Sequence, residues 1–452
     1  MLHEPYQDNV ELASLDNETI DTYEDADLPL PVSAEDMDIR SSRPLWIQPK
    51  WLSSQTSKKH HPRIRSIQTL LKPRLTWRYC LFTSIILYVF YCLVTSQPLL
   101  AHNLPEYSGK HDVGAIDIEI PYDGAKPKTL SETIFKDTGK PAFKFESTLF
   151  TLYYPAAKGA KSKKPNHYWV SKPVSVTGEG YARLIQARSL RIIFTFGLWA
   201  IAGRINIPAK VDAPILEENE SFPVIIFSHG MASTRSDYTH FAGELASRGY
   251  VVAMIEHRDG SCPGSVIVHS DGKKTNRFVF HESETSSEPS MTTEKFKQEQ
   301  LVFRTFEIEQ TTRILAHVNK GKGSDIFVSN TRKEGQDLDS WKAKLDFKHL
   351  IIAGHSYGAT GALQALKPRE FLEEIPVAGG IILDPGKSSG RLNHDIDIPI
   401  LVVHSNSWSK SHSIFYGRLH FDTVKDLVQA VSNKVGASWF LTSIGTSHPS
   451  VV

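Results

Sequence analysis

From about residue 110 onward the chain alternates short apolar runs with amphipathic stretches, the rhythm of an α/β architecture. Six runs read as strands: Pro223–Ser228, Tyr250–Ile255, His349–Gly354, Gly380–Asp384, Pro399–His404 and Trp439–Ser443. Several are unbroken β-branched or leucine runs without polar alternation, which predicts a mostly parallel sheet covered by helices on both faces. Asp237–Arg248 reads as a helix, as does Glu294–Asn319, where Leu301, Ile308 and Leu315 recur at intervals of seven. Two stretches stand outside the pattern. Residues 265–293 are polar, with Ser, Thr and Glu clusters and Pro289, and predict a solvated surface insertion, a lid being the alternative. Leu190–Ala202 is apolar, but too short and too interrupted by Arg191 to cross a membrane. It reads first as core, with a patch that meets lipid as the alternative.

A stronger apolar run lies earlier. Tyr79–Ala101 carries no charged residue, and roughly 20 such residues at about 1.5 Å each cross a hydrocarbon core. Arg74 and Arg78 abut the run, and Trp77, Tyr88 and Tyr91 suit a bilayer interface. A transmembrane helix is therefore expected over 75–100, ahead of a buried core helix or a late signal peptide. All nearby cations, from Lys58 to Arg78, precede it, so the positive-inside rule leaves the N-terminus cytoplasmic and the larger C-terminal part lumenal or extracellular. The sequon Asn219-Glu220-Ser221 agrees with that orientation. Cys80 and Cys92 fall in the span, so Cys262 has no intradomain partner beyond it.

Composition adds exclusions. The 452 residues hold 51 Lys+Arg against 50 Asp+Glu, net +1, with 40% hydrophobic residues, which excludes a wholly disordered chain. The balance also argues against nucleic acid as a partner, since counterion release needs a clustered basic face. Charge is nonetheless blocked: residues 1–39 contain twelve acids and no Lys or Arg, whereas 40–78 contain ten Lys+Arg and no acid. The expected layout is a disordered tail over 1–74, the span over 75–100, and an α/β domain over 110–452.

The candidate chemistry centres on Gly354-His355-Ser356-Tyr357-Gly358, a G-x-S-x-G motif that follows a predicted strand and runs into helix-forming Ala359–Leu366. A serine on such a strand-to-helix bend is presented as a nucleophile, and glycines let backbone and helix approach. An acid and a base should follow in that order. No carboxylate follows Pro399–His404 before Asp422, so the acid is expected one strand earlier at Asp384, ahead of Asp395 and Asp397. For the base, His448 sits in the loop after the last strand and leads His404, His412 and His420. Phe227-Ser-His-Gly-Met-Ala232 ends another strand, and backbone N–H groups of Met231 and Tyr357 would form an oxyanion hole. Glu256-His257-Arg258-Asp259 is expected to position neighbouring loops through charge pairs, without a chemical role. No H-E-x-x-H or paired-cysteine motif appears, and the single His60-His61 pair lies in the basic flank, so neither metal nor cofactor is expected.

This ordered set resembles the platelet-activating-factor acetylhydrolases, serine-dependent phospholipases A2 of the α/β-hydrolase fold. The resemblance rests on Leu149–Pro155, Tyr168-Trp169, Phe227–Gly230, Leu245–Tyr250, Glu256–Asp259, Gly354–Gly358, Ile382–Asp384 and Gly445–His448. It implies Ser356, Asp384 and His448 as nucleophile, acid and base, Met231 and Tyr357 as oxyanion amides, and a phospholipid with a short or oxidised sn-2 chain as substrate. The span makes the chain look like a fungal membrane-bound member. Two features depart from the family: Ala359 replaces a second glycine, and the sequence stops four residues after His448, where relatives continue into a helix. A general carboxylesterase or lipase, or a tethered protein without catalysis, are the competing readings.

Overall fold

The computed structural model describes residues 76–95, 97–122, 127–217 and 221–452. The expected tail over 1–74 and the sequon asparagine lie outside them.

The principal elements, in chain order, are α1 (Trp77–Thr95), β1 (Asp112–Pro121), β2 (Ser147–Ala156), α2 (Val174–Leu184), α3 (Arg191–Ile201), β3 (Lys210–Val211), β4 (Phe222–Ser228), α4 (Thr239–Ala246) and β5 (Val251–Ile255). They continue with β6 (Gly264–Val268), β7 (Lys274–Phe278), α5 (Thr293–His317), β8 (Leu345–His355), α6 (Tyr357–Ala365), β9 (Gly379–Leu383), β10 (Ile400–Ser405), α7 (His420–Val435) and β11 (Ser438–Ser443). Nine strands form one sheet in the order β11-β10-β9-β8-β4-β5-β2-β1-β3. Only β2 runs antiparallel to its neighbours β1 and β5. With helices on both faces, this is the α/β-hydrolase layout.

The unbroken apolar runs are explained by where alternate residues go. On β4, Val224 and Ile226 enter one core with α5 and α6, while Ile225 and Phe227 enter the other with α4. On β5, Val251, Ala253 and Ile255 face the first core, and Val252 and Met254 the second. A strand buried on both faces needs no polar alternation. Helix α7, absent from the sequence-level reading, buries Val424, Leu427, Val428 and Val431 against the first core at helical spacing. The opposite face of β11 lacks such cover, leaving Trp439 and Leu441 exposed.

The apolar run near the N-terminus forms α1, a helix long and apolar enough to cross a membrane. Cys92 is its one buried residue among those described, so it is not a core helix. Arg204 donates to the Cys92 carbonyl at 3.0 Å and the Leu93 carbonyl at 3.2 Å, tying the end of α1 to the folded body.

Two expectations are corrected. Leu190–Ala202 is not core: α3 buries only Ala200, and Ile192, Ile193 and Phe196 are 73%, 67% and 64% exposed. Its inner side lies against α2, where a β-carbon on Gly178 would overlap Thr195. An apolar sequence records hydrophobicity but not whether the fold supplies a cover. Nor is 265–293 a simple solvated loop. It contains the β6–β7 hairpin, with Ser265, Ile267, Val279, Phe280 and Thr285 buried. Phe280 packs against the rings of Phe135, Phe143 and Phe296, so a few apolar side chains anchor an otherwise polar segment. Phe280→Ala should therefore cost about 3 kcal/mol in denaturant unfolding and open residues 264–293 to limited proteolysis; a stability loss below about 1 kcal/mol with unchanged cleavage would contradict this anchoring.

Candidate active site

Ser356 occupies the bend between β8 and α6 with φ +55° and ψ −121°, a conformation that L side chains rarely adopt. Backbone contacts hold it there. Ser356 N–H donates to the Leu383 carbonyl at 2.9 Å, and Gly386 N–H donates to the Ser356 carbonyl at 3.1 Å. The glycines on either side are required by space: a β-carbon on Gly354 would overlap the Gly358 carbonyl, and one on Gly358 would overlap that of Ser228. The bend therefore rests directly on the end of β4.

The structure brings Asp384 and His448 to this serine. His448 Nε2 lies 3.0 Å from Ser356 Oγ, and His448 Nδ1 lies 2.9 Å from Asp384 Oδ2. Asp384 follows β9, also at positive φ (+45°), and its carboxylate accepts from Ser405 N–H and Ser405 Oγ, both at 2.6 Å. Burial alone would raise its pKa, but hydrogen bonds from His448 and Ser405 outweigh burial and hold it below the usual carboxylate range. An ionised Asp384 keeps the Nδ1 proton on His448, leaving Nε2 to accept from the serine hydroxyl. Such a row can move a proton from a hydroxyl to an imidazole. Asp395 and Asp397 instead meet Lys434 on the surface.

The imidazole is held by more than its hydrogen bonds. Trp408 stacks on His448 with centroids 3.9 Å apart and planes 9° from parallel, and Trp408 Nε1 donates to the Pro385 carbonyl at 3.0 Å. Lys387 Nζ sits 3.9 Å from the Trp408 ring centroid. On the other side His355 lies 4.5 Å from His448 between centroids, with its Nδ1 2.8 Å from Tyr238 Oη. Ser405, Trp408 and His355 escaped the sequence reading. The stretch from Ser405 to Trp408 carries no carboxylate to mark it, and His355 occupies a variable position of the motif.

Met231 and Tyr357 are adjacent to this point. Tyr357 opens α6, so its N–H has no intrahelical acceptor. A β-carbon on Gly230, beside Met231, would come within 3.2 Å of Ser356 Cβ. Beneath the segments that carry these two residues runs a buried network reaching through Glu256–Asp259. Arg304 pairs with Asp259 at 2.8 Å and donates to the His229 carbonyl at 2.6 Å, while its guanidinium covers the Tyr357 ring at 4.4 Å. Gln300 accepts from Tyr357 Oη at 2.7 Å and donates to the Asp259 carbonyl at 3.1 Å. His257 joins Ser228 to Glu307, where burial pushes the histidine pKa down and the glutamic acid up, favouring a neutral pair. Arg258 meets Glu119 at 2.8 Å.

His355, Asp384 and His448 offer potential metal-ligand atoms within 4.8 Å of one another. Both His448 nitrogens already serve the Ser356–Asp384 row and His355 Nδ1 meets Tyr238, so a cation bound there would have to disrupt that row.

His404 and His420, weighed from sequence as possible bases, lie elsewhere. They are buried side by side, centroids 5.8 Å apart, and their ring nitrogens close no hydrogen bond of good geometry, although His420 faces the Pro385 and Gly386 carbonyls. Burial depresses both to about pH 4, with Lys387 adding its repulsion. A histidine pKa lowered by folding means that the unfolded chain binds more protons between about 6.5 and 4, so stability falls as pH drops through this window. The slope is at most about 1.4 kcal/mol per ring and pH unit. Replacing both by Phe should flatten the loss of unfolding free energy between pH 6.5 and 4.5; an unchanged slope would show that neither ring is held neutral.

The chain is similar to several known proteins. The family model described as platelet-activating factor acetylhydrolase, isoform II, matches residues 99–435, a segment that includes Ser356 and Asp384 but ends before His448. The platelet-activating factor acetylhydrolase of Cavia porcellus is 30% identical over 248 residues, covering 53% of this chain and 50% of that protein. That of Canis lupus familiaris is 24% identical over 300 residues, 65% of this chain and 57% of that protein. The chain thus spans about half the length of the curated relatives it matches. A solved ferulic acid esterase from Streptomyces cinnamoneus aligns at a TM-score of 0.46 and 16% identity, over 77% of this chain and 78% of that one.

Proposed function

The chain belongs to the platelet-activating factor acetylhydrolase, isoform II family, and from that premise we propose that it is a membrane-anchored serine hydrolase that cleaves the sn-2 acyl ester of platelet-activating-factor-like or short- or oxidised-chain phospholipids. The observation that carries the reading is the continuous row from Ser356 Oγ through His448 to Asp384, at 3.0 and 2.9 Å. In the reaction His448 Nε2 takes the Ser356 proton as Oγ attacks the ester carbonyl. Asp384 fixes the imidazole and balances its positive charge. Amides of Met231 and Tyr357 stabilise the tetrahedral oxyanion, His448 returns the proton to the departing lysophospholipid oxygen, and an acyl-enzyme remains. Water activated by His448 then releases the fatty acid. No step needs a metal.

Two features support action on lipid in place. Helix α1 has the length and composition of a span, and the exposed apolar side of α3 suits the headgroup boundary. In this reading residues 75–100 anchor the domain formed by 110–452, which lies on the lumenal or outer side, with the tail of residues 1–74 in the cytoplasm. Confinement beside the substrate makes encounter nearly two-dimensional.

With a short-chain sn-2 phosphatidylcholine as substrate, Ser356→Ala and His448→Gln should each lower kcat by about 10⁴-fold or more, and a fluorophosphonate probe should label the parent protein but not Ser356→Ala. A folded parent without labelling or turnover would refute the enzyme reading. Faster turnover of p-nitrophenyl butyrate or a triglyceride than of the phospholipid would favour a general esterase or lipase. Separately, Phe196→Ser with Ile193→Ser should weaken binding of an α1-deleted fragment to phosphatidylcholine vesicles by roughly ten-fold or more; unchanged flotation would remove α3 from the lipid surface.

A further inference from the structure

Beside the candidate oxyanion hole lies a cleft of about 480 Å³ that shares Met231 with it. Its walls include Leu184, Val279, Phe280 and Phe296, apolar surface suited to a short hydrocarbon segment. One cation faces this space. Lys297 stands one helical turn before Gln300 on α5, with Nζ 4.9 Å from the Tyr357 ring centroid, hence next to the residue that follows the nucleophile.

The electrostatics of Lys297 are incomplete. Among the described residues it forms no ion pair, and its one hydrogen bond is a long one, 3.4 Å to Gln300 Oε1. That oxygen already accepts from Tyr357 Oη at 2.7 Å. An ammonium has three donors, so at least two remain for a ligand. Of the neighbouring acids, Asp259 is paired with Arg304 at 2.8 Å, whereas Glu282, also on the cleft wall, accepts only from the neutral Thr293 Oγ1 at 2.7 Å and keeps its charge. Burial depresses the Lys297 pKa despite the attraction of Asp259 and Glu282, so the charge is only partly compensated, a cost that an incoming anion would offset.

We infer that Lys297 is a specificity-determining residue, whose ammonium binds an anionic oxygen group of the substrate while the ester lies at Ser356. This rests on the hydrolase reading above. The anion has two sources in a phospholipid, its phosphodiester or a carboxylate at the end of a truncated sn-2 chain, and both would offer oxygen acceptors to the same donors. The apolar walls suit the second, because an acyl chain lying along them would carry its far end to the ammonium.

The test uses the full chain in detergent micelles, with active sites counted by fluorophosphonate labelling so that misfolded protein does not enter the rates. Three esters are compared: p-nitrophenyl butyrate, a phosphatidylcholine with an sn-2 pentanoyl chain, and the same lipid with an sn-2 glutaroyl chain. For a carboxylate subsite, K297M should lower the glutaroyl-to-pentanoyl ratio of kcat/KM by roughly ten-fold or more, chiefly through KM. For a phosphate subsite, the pentanoyl-lipid-to-p-nitrophenyl ratio should fall by a similar factor. K297R should retain most of the preference in either case, and K297Q provides a second neutral variant should K297M label poorly. If both ratios stay within about two-fold of the parent values in the neutral variants, the inference is overturned while the hydrolase reading stands. If the parent cleaves none of the three esters, the underlying reading fails instead.

Discussion

The site depends on a buried ion pair that never touches the reacting atoms. Arg304 and Asp259 have no solvent exposure at their side chains, and such a pair is tolerated only because its remaining donors and acceptors are used. They are used on the active-site scaffold: Arg304 bonds the His229 carbonyl and covers Tyr357, while Asp259 binds Ser261 through its carboxylate and Gln300 through its carbonyl. One helix, α5, thereby fixes the distance between the end of β4 and the start of α6. Those two segments carry the Met231 and Tyr357 amides. The placing of these two segments is thus tied to charge pairing a layer below them.

Around that scaffold, two positions of backbone strain carry candidate site side chains. Ser356 and Asp384 both adopt positive φ without being glycine, and they are linked because Ser356 N–H bonds the Leu383 carbonyl immediately before Asp384. The tight bend after β8 and the turn after β9 therefore support one another. His448 comes from a segment with little burial of its own and relies on Trp408, Ser407 and Asp384 for its orientation. Rigid and lightly held parts thus meet at a single imidazole.

Much of this organisation was legible in the chain. The six apolar runs coincide with β4, β5, β8, β9, β10 and β11 because strands covered on both faces leave a continuous signature. Ser356 stood out through its glycines, and Asp384 and His448 through their positions after strands. β1 and β2 were harder to see because buried polar groups interrupt them: Asp117 and Glu119 on β1 and Thr151 on β2 engage Arg235, Arg258 and Arg332. The Arg235 guanidinium that pairs with Asp117 lies 118 positions away, beyond the reach of a local pattern. The same limit hid Trp408 behind His448 and Arg304 beneath Tyr357. Leu190–Ala202 and 265–293 failed for a different reason, since polarity describes a segment but not the surface it meets.

The clasp between Arg204 and the last carbonyls of α1 has a mechanical consequence. A body fastened so near the end of an apolar helix is no ball on a long leash. Were α1 to span a bilayer as proposed, the body would keep close to one height and tilt, skimming whatever lipids drift beneath it instead of hopping between separate vesicles. Turnover in such a molecule would be governed by lateral traffic in the leaflet, and lengthening the connection would trade that steady attitude for reach.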